Sequence, residues 1–220
     1  MIKVYVADIS KVQDAQKIKE LYDGLPKWRR QKVDKIKMNE DKLRSICAYR
    51  LLETVLRKEQ ICLAAEEMAY GENGKPYLKN RADMHFSLSH SGERVMCAVS
   101  SAEVGCDVEK IKAPNLKVAK RFFHAEEYEY LLSLKTEEER KQAFFRFWTI
   151  KESVIKMTGQ GMKMPLSDML IRLGDKEGET KLTLTDKKVY VKEYDLQDGY
   201  RYACCGQEET FEEQVEIVEL

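Results

Sequence analysis

The feature that most constrains this chain is a run from about Glu137 onward that meets no glycine or proline until Gly159. Its apolar residues recur at three- and four-residue steps, which predicts a long helix with one buried side. On that helix Trp148, Glu152 and Lys156 stand one turn apart, so an aromatic ring, a carboxylate and an ammonium group share one side. Upstream, Val104-Gly105-Cys106-Asp107-Val108-Glu109 reads as a strand, on which Asp107 and Glu109 project to the same face and converge on one point. Two carboxylates from a strand and a third from a helix make an oxygen-rich set suited to Mg²⁺. Each piece alone has an ordinary explanation: a Lys–Glu pair on a helix is usually a solvated face, and a single Asp-x-Glu is weak. The information lies in their joint occurrence.

The preceding sequence supplies further polar candidates. Residues 2–7 alternate as a strand, and a charged helical stretch reaches about Leu21 before Leu25-Pro26 interrupts it. The basic run Lys27, Arg29, Arg30, Lys32, Lys35 and Lys37 reads either as a solvated helix face or as an anion grip, with Arg29 and Lys32 on one side. A second helix starts at Asn39, with Asn39 or Asp41 as its N-cap, and buries Leu43, Ile46, Cys47, Leu51 and Val55. Arg44 sits in its first turn, where it either meets an anion or pairs with a nearby acid. Residues 71–77 form a loop in which Pro76 holds Lys75 extended.

Ser89-His90-Ser91 has the look of a hydrolase site, but adjacent Ser and His rarely place a nucleophile on its own base. No Gly-x-Ser-x-Gly elbow is present either. Ser89 and His90 read instead as hydrogen-bond donors to a phosphate, against the plainer reading of a turn with a capping serine and a surface histidine. A buried strand over residues 95–99 leads by a hairpin into residues 104–109. An acidic helix from Ala125 to about Leu134 precedes the long helix, and Gly159-Gln160-Gly161 makes a corner. Strands follow over residues 181–185, 189–194, 201–205 and 215–220, the last at an edge.

This order predicts an α+β chain of two halves, residues 1–101 and 102–220, without a convincing internal sequence repeat. With 38 Lys+Arg against 38 Asp+Glu, net charge argues for neither nucleic acid nor membrane as a partner. There is no apolar signal region and no membrane-length apolar run. The six cysteines lack Cys-x-x-Cys spacing and read as reduced thiols of a cytoplasmic protein. With His85, His90 and His124 the only histidines, a His-based zinc site is not expected.

Taken in order, the chain carries the basic stretch with Arg29 and Lys32, then Arg44-Ser45, Gly74-Lys75-Pro76 and Phe86-x-x-Ser89-His90-Ser91. Gly105-x-Asp107-x-Glu109 and Trp148-x-x-Lys151-Glu152-x-x-x-Lys156 follow. As a set it resembles the Sfp-type branch of the 4′-phosphopantetheinyl transferases. Cys106 stands where that family usually has a branched aliphatic, a change a small hydrophobe absorbs. The resemblance implies a pseudo-dimer of two similar α+β halves with coenzyme A in the cleft between them. It implies that Asp107, Glu109 and Glu152 bind Mg²⁺, or Mn²⁺ in its place, with the pyrophosphate of coenzyme A. Arg29, Lys32, Arg44 and His90 then hold its 3′-phosphate or adenosine side. Lys75, Ser89, Lys151 and Lys156 line the phosphates, and Lys75-Pro76 edges the adenine pocket. Catalysis falls to Glu152, Lys151, Lys156 and Asp107, with Glu152 either base or ligand.

The implied partners are apo acyl or peptidyl carrier proteins of fatty-acid, nonribosomal peptide or polyketide synthesis, served by a monomer. Another Mg²⁺-dependent phosphotransferase would need a phosphate loop, which is absent. A non-catalytic coenzyme A or carrier-protein binding module is the remaining alternative. It would be expected to have lost a carboxylate or a lysine, and the set is intact.

Overall fold

The computed structural model describes residues 1–174, 180–183 and 188–220. The first half of the chain runs β1 (Lys3–Asp8), α1 (Ala15–Asp23), α2 (Lys27–Asp34), α3 (Asn39–Lys58), β2 (Met68–Tyr70), β3 (Pro76–Leu78), β4 (His85–Ser91) and β5 (Arg94–Ser100). The second runs β6 (Val104–Lys110), α4 (Leu116–Phe122), α5 (Ala125–Ser133), α6 (Glu137–Thr158), β7 (Leu170–Arg172), β8 (Lys181–Thr183), β9 (Tyr190–Tyr194) and β10 (Tyr200–Gly206), and β11 (Glu216–Ile217) ends the chain. The order strand, three helices, short hairpin, strand pair thus occurs twice. Of the expected strand over residues 181–185, positions 184 and 185 lie outside the described residues.

The pairing repeats as well. One sheet has the order β11-β1-β5-β4 and the other β6-β10-β9, with β1–β5–β4 and β6–β10–β9 both antiparallel. Alternation decides which face of each strand meets which layer. Val4, Val6, Met96 and Ala98 of the first sheet meet Val104, Cys106, Val108, Tyr202 and Cys204 of the second in one buried cluster. The opposite faces carry Tyr5, Ala7, Val95 and Cys97 under α3, and Ala203 and Cys205 under α6. The layers therefore run helix, sheet, sheet, helix.

Three expectations are corrected. The strands β5 and β6 do not form a hairpin: β5 pairs with β1 and β4, while β6 pairs with β10, so the connection steps from one sheet to the other. The N-cap of α3 is Met38, which makes no side-chain cap; Asn39 is already helical and Asp41 is engaged by Arg44. Ser89 and His90 lie within β4 rather than in a turn. The C-terminal strand does sit at an edge, but of the first sheet, where β11 runs parallel to β1.

Helix α6 has well-defined ends. Thr136 and Glu139 form a capping box, and Gly159, at φ 66°, closes the other end by returning its N–H to Ile155. Its approach to β6 is set by Gly105. A Cβ there would stand 1.9 Å from the Ser153 carbonyl oxygen and 2.5 Å from the Met157 nitrogen, so only glycine lets strand and helix meet so closely.

A second tie is buried. Lys151 is fully enclosed and donates to the Leu166 and Met169 carbonyls at 2.8 and 2.7 Å, and it pairs with Glu127 at 2.9 Å. Glu127 also accepts the Ile171 N–H at 2.8 Å and the His124 N–H at 3.0 Å. Burial pushes the lysine down and the carboxyl up from their usual ranges, and their mutual contact opposes both shifts. Every partner each ion needs is supplied by protein, which is the condition for a buried pair to be tolerated.

Two outcomes follow from this packing. Gly105→Ala should destabilise the protein by about 1–3 kcal/mol, the usual cost of overpacking a close contact, measured by urea denaturation. Lys151→Met should cost about 3–5 kcal/mol by leaving Glu127 charged and unpaired, and adding Glu127→Gln should recover part of that loss. Equal stability of the single and double variants in the same titration would contradict the pairing.

Candidate active site

The face of β6 that Gly105 turns toward α6 also carries Asp107 and Glu109, two and four residues further on. Asp107 is 4 % exposed. Its Oδ1 accepts Lys156 Nζ and Ser89 Oγ, each at 2.7 Å. Its Oδ2 is buried with no hydrogen-bond partner among the described residues. Glu109 accepts Ser91 Oγ at 2.6 Å. Burial and then the charge of Asp107 raise the Glu109 carboxyl above its usual range, against the pull of Ser91, Lys112 and Trp148. Glu152 is pushed up to about 7, first by burial and then by Asp107 and Glu109, with Lys156 opposing. Burial disfavours the Lys156 ammonium, yet Asp107 and Glu152 hold it above the ordinary lysine range.

Three carboxylates thus repel one another, with Lys156 beside Asp107 and Glu152, and Lys112 acting on Glu109. They are near enough to shift one another's titration, but they are not gathered on one point. Among the described residues no group of three or more His, Cys, Asp or Glu side chains is placed to hold a metal ion. Asp107 turns to Lys156 and Ser89, and Glu109 to Ser91.

Beside Lys156 opens a cavity of about 250 Å³, with Lys75, Pro76, Phe86, Leu88 and Ile155 among its lining. Pro76 therefore stands where an edge of a pocket was expected. Lys75 lines the cavity, and its Nζ pairs with Glu103 and donates to the Met157 carbonyl at 2.7 Å, at the C-terminal turn of α6. Ser89 likewise spends its proton on Asp107.

His90 lies on the face of β4 shared by Phe86 and Leu88. Its ring is held below the usual histidine range, first by the surrounding protein and then by Lys156 and Arg44. Arg44 has the plainer role foreseen for it, bonding Asp41 at 2.6 Å and the Gly92 carbonyl at 3.1 Å. Arg29 donates to the Ser45 carbonyl and hydroxyl at 2.9 and 2.8 Å and lies over Tyr49, with a buried Nε that has no partner among the described residues. Lys32 sits 3.5 Å from the centre of the Tyr70 ring.

Lys151 is the clear correction. Expected among the phosphates, it points into the core on the far side of α6, because residues five apart on a helix cannot share the side that Lys156 occupies. Its partner Glu127 was not foreseen, nor was Ser91's contact with Glu109. The alternation Ser87-x-Ser89-x-Ser91 was the available signal for the latter, since it places three hydroxyls on one strand face. Five of the six cysteines are buried and none is paired, and no described helix is long and apolar enough to cross a membrane.

The model of the 4′-phosphopantetheinyl transferase superfamily matches residues 103–205, the segment that holds β6, α6 and β10. The chain is 35% identical over 193 residues to the 4′-phosphopantetheinyl transferase Sfp of Bacillus subtilis (strain 168), which covers 86% of this chain and 85% of that protein. It is 31% identical over 219 residues to a 4′-phosphopantetheinyl transferase of Bacillus subtilis, covering 98% and 97%. To the 4′-phosphopantetheinyl transferase psf-1 of Bacillus pumilus it is 33% identical over 225 residues, covering 99% and 95%. The carboxylate and lysine cluster at the β6–α6 contact lies inside the matched segment, and the likeness to the Bacillus proteins runs through both halves: the chain belongs to the Sfp-type 4′-phosphopantetheinyl transferase family.

Proposed function

We propose that the protein moves the 4′-phosphopantetheine group of coenzyme A onto a serine of apo carrier proteins, with Mg²⁺ as cofactor and release of 3′,5′-ADP. The observation that carries this reading is the buried Asp107 carboxylate, bonded through one oxygen to Lys156 and left with the other unpartnered, between Glu109 and Glu152. The repeated order of elements supports a monomeric pseudo-dimer with its site in the cleft between halves 1–101 and 102–220.

The donor chemistry suits a hard divalent cation, oxygen only and with mutual repulsion that a positive charge would relieve, and holding one would require the three side chains to close in on it. Asp107, Glu109 and Glu152 would hold it. Bound there, it would offset charge on the pyrophosphate of coenzyme A. Lys156, at both Asp107 and the cavity, is placed to donate to phosphate oxygens. Pro76, Phe86, Leu88 and Ile155 offer an apolar wall for the adenine. Arg44, Arg29 and Lys32 would supply the cationic charge suited to the 3′-phosphate, and His90 a neutral hydrogen-bonding ring. Lys75 and Ser89 would act indirectly, through the end of α6 and through Asp107, and Lys151 through the core.

In the transfer, the carrier serine oxygen forms a bond to the β-phosphorus as the bond from that phosphorus to the bridging oxygen breaks. The serine proton passes to Glu152 if that residue is the base, and 3′,5′-ADP departs with the bridging oxygen.

Incubating an apo carrier protein with the enzyme, coenzyme A and Mg²⁺ should raise the carrier's mass by one phosphopantetheine. Excess chelator should stop the reaction and added Mg²⁺ restore it, and Asp107→Ala should be inactive. Full transfer in excess chelator would refute the carboxylate reading. For Glu152→Gln, turnover should fall severely. If Glu152 is chiefly a ligand, raising Mg²⁺ recovers much of the rate by mass action. If it is chiefly the base, saturating Mg²⁺ recovers little while coenzyme A still binds. Near-normal turnover at limiting Mg²⁺ would exclude both roles.

A further inference from the structure

Ser87, Ser89 and Ser91 alternate along β4 with Phe86, Leu88 and His90, so the three hydroxyls share one face. Strand β4 is the edge of the first sheet and β6 an edge of the second, and no ladder joins them among the described residues. Side chains make the connection instead. Ser87 Oγ accepts the Cys106 N–H at 3.0 Å, and Ser89 Oγ donates to Asp107 at 2.7 Å. Ser91 Oγ accepts the Lys110 N–H at 3.2 Å and donates to Glu109 Oε2 at 2.6 Å. Ser87 and Ser91 thus take up backbone donors that an adjoining strand would otherwise satisfy.

Ser91 is the most constrained of the three. A hydroxyl has one proton, and with its oxygen accepting from Lys110 that proton is directed at Glu109. The contact is short and crosses from the first half to the second. It engages the carboxylate at Oε2, on which Trp148 also acts.

We infer that Ser91 is a positioning residue for the transfer reaction: it fixes the Glu109 carboxylate from across the seam so that the carboxylate is presented to the divalent cation. This rests on the proposed role of Glu109 as a ligand. Losing a partner that orients a ligating carboxylate typically costs about 10–100-fold in metal affinity, because without it the carboxylate must be ordered at the moment of binding. It also explains why a serine in the first half is needed by a carboxylate in the second, and predicts that neither half would assemble the site alone.

The test titrates Mg²⁺ in the transfer assay for the wild type, Ser91→Ala, Ser91→Thr and Glu109→Gln. In parallel, calorimetry without carrier protein measures coenzyme A binding at a fixed, sub-saturating Mg²⁺ concentration. Ser91→Ala should raise the half-saturating Mg²⁺ concentration by about tenfold or more, while turnover at saturating Mg²⁺ returns to within about threefold of wild type. Coenzyme A binding should weaken in the calorimeter, and Ser91→Thr, which keeps the hydroxyl, should restore both readouts. If Ser91→Ala does not fold, Ser91→Cys replaces it with the same expectation. The inference is overturned if the serine variant lowers melting temperature and turnover but leaves the Mg²⁺ requirement unmoved while Glu109→Gln shifts it. If Glu109→Gln also leaves it unmoved, the ligand role of Glu109 itself is refuted.

Discussion

The contact on which the rest depends is the approach of β6 to α6 at Gly105. Burying a strand under a helix ordinarily leaves room for side chains between the two backbones. Here a Cβ would fall 1.9 Å from the Ser153 carbonyl oxygen, and the helix lies directly on the strand. Short polar side chains can then meet across the interface: Asp107 reaches Lys156 at 2.7 Å without either chain leaving its element. The same closeness removes water, and removal of water is the first cause that lifts Glu109 and Glu152 above ordinary carboxylates. A backbone constraint thus becomes an electrostatic one.

The two lysines of α6 show how rotation about the helix axis sorts chemically identical groups. Lys156 faces β6 and is kept cationic by carboxylates at the edge of a cavity. Lys151 faces the opposite way, and its charge is consumed by Glu127 and two carbonyls. Desolvation presses on both; what separates them is whether the compensating partners are structural or poised in an accessible site. The buried pair ties α5, α6 and the segment through Ile171 together, which fixes the rotation that sets Glu152 and Lys156 against β6. A lysine within a recognisable motif can therefore serve the site through packing alone.

Much of this was legible in the sequence. The span of α6, the strand with Asp107 and Glu109 and the edge position of the last strand all follow from local pattern: periodicity, alternation and the placement of Gly and Pro. What was not legible depends on contacts between distant segments. Nothing near Lys151 announces Glu127, and nothing near Lys75 announces Glu103. The misread hairpin has the same origin. Residues 95–99 and 104–109 look like adjacent paired strands because the link between them is short, and only the second sheet's pairing with β10 shows that the chain crosses layers there.

The doubled order of elements raises the question of why the carboxylates occur once. Register answers it. In the first half Asp8 pairs with Arg94, where β5 begins; in the second Lys110 pairs with Tyr200, where β10 begins. Counting back from these ends, Ala7 takes the place of Glu109 and Tyr5 that of Asp107. Tyr5 and Ala7 are buried in the apolar core under α3, with burial the main reason the Tyr5 hydroxyl resists ionisation. The place of Gly105 is taken by Lys3, whose side chain goes out to Glu59 at the end of α3. The first half therefore keeps an apolar helix–strand interface and contributes its polar groups from another strand, β4, whose serines reach across to the second half's carboxylates. One stretch of the chain supplies the charges and the other holds them, so the repeated order of elements carries a single asymmetric cluster of polar groups rather than two copies.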